Sequence, residues 1–216
     1  MHYLTHRAVD VGIGVVTGLA VNLLPFLPLQ LRPAEYAVRH WGQDIAAALR
    51  DLATLTASPG SPGQFWPRYD RGLTTAAERA RVAARQARES LRWNPRAAVP
   101  RSVPRLDGAG NRDPRVVTAR TRGIARLLIC GEERQGPAPF PSSFGQDYAQ
   151  LLRALADLVC ELADLGSPRA EQDLIEARSH QRQLEDRAGQ LSADVRHLVR
   201  LTSDMIGELA GDTAAS

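Results

Sequence analysis

The sequence contains no lysine, and all 27 of its basic side chains are arginine. A phosphate-cradling loop of the GxxxxGKS or GxxxxGKT type is therefore excluded, because its lysine is the group that reaches the phosphates. Cysteine is nearly as scarce. Cys130 and Cys160 each sit inside an apolar run, which excludes a disulfide-stapled secreted scaffold and a cysteine-rich zinc site, and both read as reduced core thiols. Aromatic residues make up 5% of the chain, too few to fill the pleated faces of a sheet protein. With 44% hydrophobic residues the chain is still too apolar to remain disordered. Its 216 residues suffice to bury a core, and an all-α fold is the expectation.

Catalytic patterns are missing as well. GxSxG is absent, and neither cysteine has a convincing base near it in the sequence. The histidines at 2, 6, 40, 180 and 197 form no i,i+4 pair beside a glutamate within one helix, apart from the His2/His6 pair of the leading tail. No catalytic, cofactor or metal site is expected, and the chain is not read as an enzyme. The net charge of +3 conceals a gradient: residues 1–67 are neutral, 68–134 carry +9 and 135–216 carry −6. A basic middle and an acidic end can neutralise one another across a helix bundle, or the basic part can face anionic lipid. Nucleic acid is not expected as a partner, because the arginines are not interleaved with stacking aromatics and no reader motif is present.

What the chain does have is a long apolar run at its start. Between Val11 and Leu29 the only polar side chains are Thr17 and Asn22, a stretch of 19 residues, about the length of a hydrocarbon crossing. Pro25 and Pro28 lack an N–H and clash with the preceding turn, so the helical part covers about 27 Å at about 1.5 Å per residue. A secretory signal peptide would end in small residues, whereas this run ends in PFLPLQLRP. Residues 1–31 are therefore expected to form one transmembrane helix in membrane lipid. Gly14 and Gly18 stand four apart on one face, a spacing that lets two backbones approach closely, and Asn22 continues the stripe as a helix-packing face. Asp10 lies at i,i+3 from Arg7, close enough for an ion pair at the membrane edge.

Behind this segment the periodicity is helical, and residues 32–216 are expected to form an antiparallel cytoplasmic bundle. Pro33 suits the first position of a helix that carries Trp41, Ile45, Leu49, Leu52 and Leu55 at spacings of four and three. SPGSPG at 58–63 breaks the chain, after which Trp66, Tyr69, Leu73, Ala76, Ala80, Ala83, Ala87 and Leu91 form a narrow alanine-rich seam suited to close packing on the previous helix. The arginines at 71, 79, 81, 85, 88 and 92 fall off that seam and read as a solvated face. Asn94-Pro95 closes this helix, and about 94–114 should be a mobile loop. A short helix is expected over about 115–131, then a broadly apolar, central one over 143–165. Ser167-Pro168 resembles a cap opening one long helix to about residue 210, its buried side marked by Leu184, Leu191, Val195, Leu198 and Ile206.

Taken in order, Arg7-x-x-Asp10, Gly14-x-x-x-Gly18, Asn22 and Pro25 in one membrane helix, then Trp41, then Glu89-Ser90-Leu91-Arg92-Trp93-Asn94-Pro95-Arg96 at the end of an arginine-rich helix, resemble the C-terminal part of the aromatic acid exporter, or fusaric acid resistance, family. The resemblance implies a last transmembrane helix feeding a cytoplasmic helical domain of an inner-membrane efflux protein. It singles out Glu89, Ser90, Asn94, Pro95 and Arg96 as the family-like motif. Family members carry several membrane helices before this point, whereas here the run begins a few residues after Met1. The expectation is thus a shortened member acting as a subunit or as a helical regulatory or assembly domain. The partners it implies are copies of itself or another membrane protein, with a small aromatic acid handled only by the larger assembly. The alternative is a membrane-tethered interaction module with no transport role.

Overall fold

A computed structural model of the chain describes residues 31–57, 66–93, 113–135, 141–164, 167–188 and 192–211. These form six helices and, among the described residues, no strand: α1 (Leu31–Ala57), α2 (Trp66–Trp93), α3 (Pro114–Gln135), α4 (Ser142–Ala163), α5 (Ala170–Ala188) and α6 (Ala193–Ala210). The all-α expectation holds for them. None of these helices is long and apolar enough to cross a membrane. The run from Val11 to Leu29 lies outside the described residues, as does the expected loop up to residue 112.

Neighbouring helices close a ring in the order α1, α2, α3, α6, α5, α4, with α1 also touching α3. The side-chain pairs across each contact fix the directions. Arg39 meets Asp164 and Arg50 meets Asp157, so α1 and α4 run antiparallel. Arg115 meets Glu78 and Arg122 meets Asp70, so α2 and α3 do too. Arg120 with Asp204, and Arg187 with Asp147, give the same result for α3 with α6 and for α5 with α4. One end of the bundle therefore holds the starts of α1, α3 and α5 and the ends of α2, α4 and α6.

The core follows the sequence periodicity. Trp41, Ile45, Leu49 and Leu52 are buried on α1, Leu73, Ala76 and Ala80 on α2, and Leu184, Val195, Leu198 and Ile206 on α5 and α6. Helix α4 is buried over most of its circumference, through Phe144, Tyr148, Leu151, Leu152, Leu155, Leu158 and Val159, as its wide apolar stripe predicts. Of the arginines expected on a solvated face, Arg71, Arg79 and Arg85 are exposed. Cys160 is a free thiol half-buried against the core. The side chain of Cys130 lies outside the described ones.

Four boundaries differ from the sequence reading. Helix α1 begins at Leu31, with Pro33 still in the first turn, where no N–H needs an intrahelical acceptor. Helix α3 runs on to Gln135. The single long helix expected after Ser167 is instead two, because the chain turns back between Ala188 and Ala193 to lay α6 against α5. Ser192 caps the second of them, its hydroxyl accepting from Val195 N at 3.4 Å, and Asp194 stands in the favourable first turn. At the other end Gly211 takes the left-handed conformation, φ 80°, and closes the helix by donating to the Glu208 carbonyl. Ser167 is not the cap of α5 as expected: its hydroxyl accepts from Arg169 N at 3.3 Å, but the helix opens only at Ala170, with Asp173 N donating to the Arg169 carbonyl.

The contact of α1 with α4 is the most extensive in the bundle, and glycine sets its closeness at both ends. A Cβ on Gly42 would collide with the Cβ of Ala163, and one on Gly145 would stand 2.9 Å from the carbonyl oxygen of Thr56. Gly72, by contrast, has open space where a side chain would go. Gly42→Ala should therefore lower stability by about 1–2 kcal/mol, overpacking outweighing the gain in helix propensity. Gly72→Ala should raise it by roughly 0.5–1 kcal/mol. Urea unfolding followed by circular dichroism checks both, and equal effects of the two substitutions would contradict the close approach.

Glu78 is held by two guanidiniums, Arg81 on its own helix and Arg115 from α3. These bonds, Arg81's first, lower its pKa from the ordinary 4.5 to about 2. A depressed carboxyl stabilises the fold above its unfolded pKa, and that stabilisation is lost as pH falls through the folded value. The stability difference between wild type and Glu78→Gln should be constant above about pH 4.5 and shrink steadily towards pH 2, as thermal melts across that range would show.

Candidate functional site

The residues singled out in the sequence are not drawn together by the described structure. Gly14, Gly18, Asn22, Arg7 and Asp10 lie outside the described residues, as do Asn94, Pro95 and Arg96. Glu89 is described and exposed, accepting from Arg85 at 3.0 Å, a solvated i,i+4 pair. Ser90 stands in the last turn of α2. His40 pairs with Asp44 and His180 with Glu176, each at 3.8 Å. Among the described residues no three His, Cys, Asp or Glu side chains gather as a metal site would require. Asp173 lies near other carboxylates; burial first, then Glu161, Asp157 and Glu176, hold its carboxyl above the ordinary value.

The described polar chemistry is concentrated instead where α4, α5 and α6 meet. Gln181 occupies an apolar-stripe position on α5 between Ala177 and Leu184, and Thr202 does the same on α6 between Leu198 and Ile206. Both are buried, and they satisfy each other. The Thr202 hydroxyl has Gln181 Oε1 and the Val199 carbonyl each at 2.9 Å, while Gln181 Nε2 donates to the Val199 carbonyl and to Glu185, each at 2.8 Å. The Tyr148 hydroxyl sits beside Thr202 but forms no hydrogen bond of good geometry. Complete burial pushes the phenol well above its ordinary pKa. Its ring stacks on Phe144 with centroids 5.8 Å apart.

This polar seam opens outward. Glu185 and Val199, both partners of Gln181, also line a cleft of about 380 Å³ between the last turn of α5 and the first turns and middle of α6, together with Ala188, Arg196, Arg200, Ser203 and Asp204. Asp204 is engaged by Arg120 at 3.1 Å and Glu185 by Gln181. The cleft thus offers guanidiniums and a hydroxyl beside carboxylates that already have donors. Its guanidiniums and hydroxyl can hold or orient a polar group.

The sequence reading missed Gln181 and Thr202. The signal was available, since each is a polar residue inserted at helical spacing into an otherwise apolar stripe, where a buried partner is required. Compared with known proteins, the chain finds no counterpart: no family model, no curated protein and no solved structure matches it.

The seam makes opposite demands on its members. Gln181→Leu leaves Val199 and Thr202 short of a partner and should cost about 1–3 kcal/mol. Adding Thr202→Val should cost less than the sum of the single changes, because the two act as a unit. Tyr148→Phe removes a hydroxyl with no bond to lose and should be neutral or slightly stabilising. Denaturant midpoints of the four variants check all three expectations.

Proposed function

We propose that the chain is a membrane-tethered helical bundle that joins a larger membrane assembly. Its N-terminal run, residues 8–31, lies in lipid and docks on other membrane helices through Gly14, Gly18 and Asn22, with Arg7 and Asp10 paired at the edge and the bundle on the cytoplasmic side. The observation that carries this reading is the junction at Leu31. The apolar run ends at Leu29, and two residues later begins α1, which packs on α2, α3 and α4. An anchor fused so closely to a core helix would hold the bundle by its end rather than on a slack linker.

The exporter-like order of motifs supports a subunit or assembly role within an efflux system for small aromatic acids. One membrane helix encloses no aqueous path, so any conduit would need helices from other copies or partners, where polar groups can be satisfied. An interaction module without a transport role follows from the same geometry if those partner helices form no conduit.

Carbonate extraction of a membrane fraction tests the tether. The chain should stay in the pellet, and its release into the supernatant would defeat the reading. In the pelleted protein, replacing Gly14 and Gly18 together by leucine should lower self-association in detergent. Asn22→Leu should cost less, on the order of 0.6 kcal/mol. Unchanged association of the double variant would leave a simple anchor without a packing face.

A further inference from the structure

Helix α5 is held to the bundle unlike its neighbours. Its buried residues are Ala177, Gln181, Leu184 and Ala188, of which Leu184 alone is a large apolar side chain, whereas α6 buries Val195, Leu198, Val199, Leu201, Met205, Ile206 and Leu209. Of its other two large aliphatic residues, Leu174 is only partly buried against the core and Ile175 is 60% exposed. The ion pair joining α5 to α4, Arg187 with Asp147, is solvent-exposed, and such pairs add little. A cleft lined by Glu185 and Ala188 opens between α5 and α6 beside the buried Leu184. Beside their apolar contacts the two helices are joined by the hydrogen-bonded pair Gln181 and Thr202, and next to it lies the Tyr148 hydroxyl, which has no hydrogen bond of good geometry.

Each of these features shifts the balance the same way. Lifting α5 removes few large apolar side chains of its own from the core, and the amide of Gln181, the hydroxyl of Thr202 and the phenol of Tyr148 all gain water as partners. Local opening is governed by how few apolar contacts a segment surrenders. We propose that α5, residues 170–188, is a lid that opens as a unit from α4 and α6 while the rest of the bundle stays folded, transiently uncovering Tyr148 and the apolar faces beneath. The opening rests on the geometry of α4, α5 and α6 alone and does not depend on the membrane reading.

Native-state hydrogen exchange of the full chain in mild detergent, read by mass spectrometry in rising sub-denaturing urea, tests it. Amides of α5 should exchange together, with protection roughly 100-fold below that of α1 and α4. Because opening α5 exposes less surface than unfolding the whole bundle, their rates should depend less on urea than those of α1 and α4. Gln181→Ala should accelerate α5 by about tenfold and leave the urea dependence of α4 unchanged. Equal protection of α5 and α4 in the wild type, or urea slopes that coincide, would overturn the proposal whether or not the variant folds.

Discussion

Everything in this bundle is referred to the close approach of α1 and α4. Antiparallel helices come this near only where side chains are small, and here Gly42 faces Ala163 at one end while Gly145 faces the Thr56 carbonyl at the other. Between them Ala46, Ala53, Ala149 and Ala156 are buried, so the seam stays narrow along its length. Larger side chains then fill the flanks. Ile45, Leu49 and Leu52 on α1 and Leu151, Leu152, Leu155 and Leu158 on α4 form a continuous apolar block, and α2 with its buried alanines closes over one side of it. Dispersion and burial both scale with such contact, so this half of the ring accounts for a large share of the apolar stabilisation.

The absence of lysine acquires a structural meaning in this setting. Contacts around the ring carry an arginine on one helix and a carboxylate on the next: Arg39 with Asp164, Arg50 with Asp157, Arg115 with Glu78, Arg122 with Asp70, Arg120 with Asp204 and Arg187 with Asp147. All are partly or largely solvent-exposed, where an ion pair is worth roughly 0–1 kcal/mol. Their effect is on selection rather than stability. Six helices of similar length and apolarity could pack in several orders, and misplaced like charges would penalise the wrong ones. The charge gradient along the sequence is only partly cancelled this way, since Glu78 and Asp70 belong to the basic middle itself. Asp113 adds a further link, its N–H donating to Glu208 at 3.2 Å where the start of α3 meets the end of α6.

How legible the fold was depended on whether local signals agreed with the periodicity. The stripe on α4 was wide and the break at residues 58–63 was rich in proline and glycine, so that helix and the limit between α1 and α2 could be read directly. The turn between α5 and α6 could not, because Leu184, Leu191, Val195 and Leu198 keep a helical spacing straight through it. The local signals there were Gly189 and a serine two residues before an aspartate, and periodicity outvoted them. The seam of Gln181 and Thr202 stayed hidden for a related reason. A polar residue on an apolar stripe announces that it needs a partner, but only the antiparallel return of α6 supplies that partner 21 residues away.

The two halves of the ring are therefore built on different physics. Around α1 and α4 the contacts are apolar, short-sided and intolerant of added volume, so displacement there means loss of the fold. Around α5 the buried side chains are smaller and its seam with α6 is hydrogen-bonded, and each hydrogen bond broken there can be replaced by one to water, so the proposed displacement costs less there than between α1 and α4. A bundle of this kind can change shape on one side while keeping its other side fixed. If the chain is tethered through the run that precedes Leu31, the tether joins the rigid half. Motion of α5 would then leave the anchor undisturbed and a stable frame against which an uncovered face could be presented.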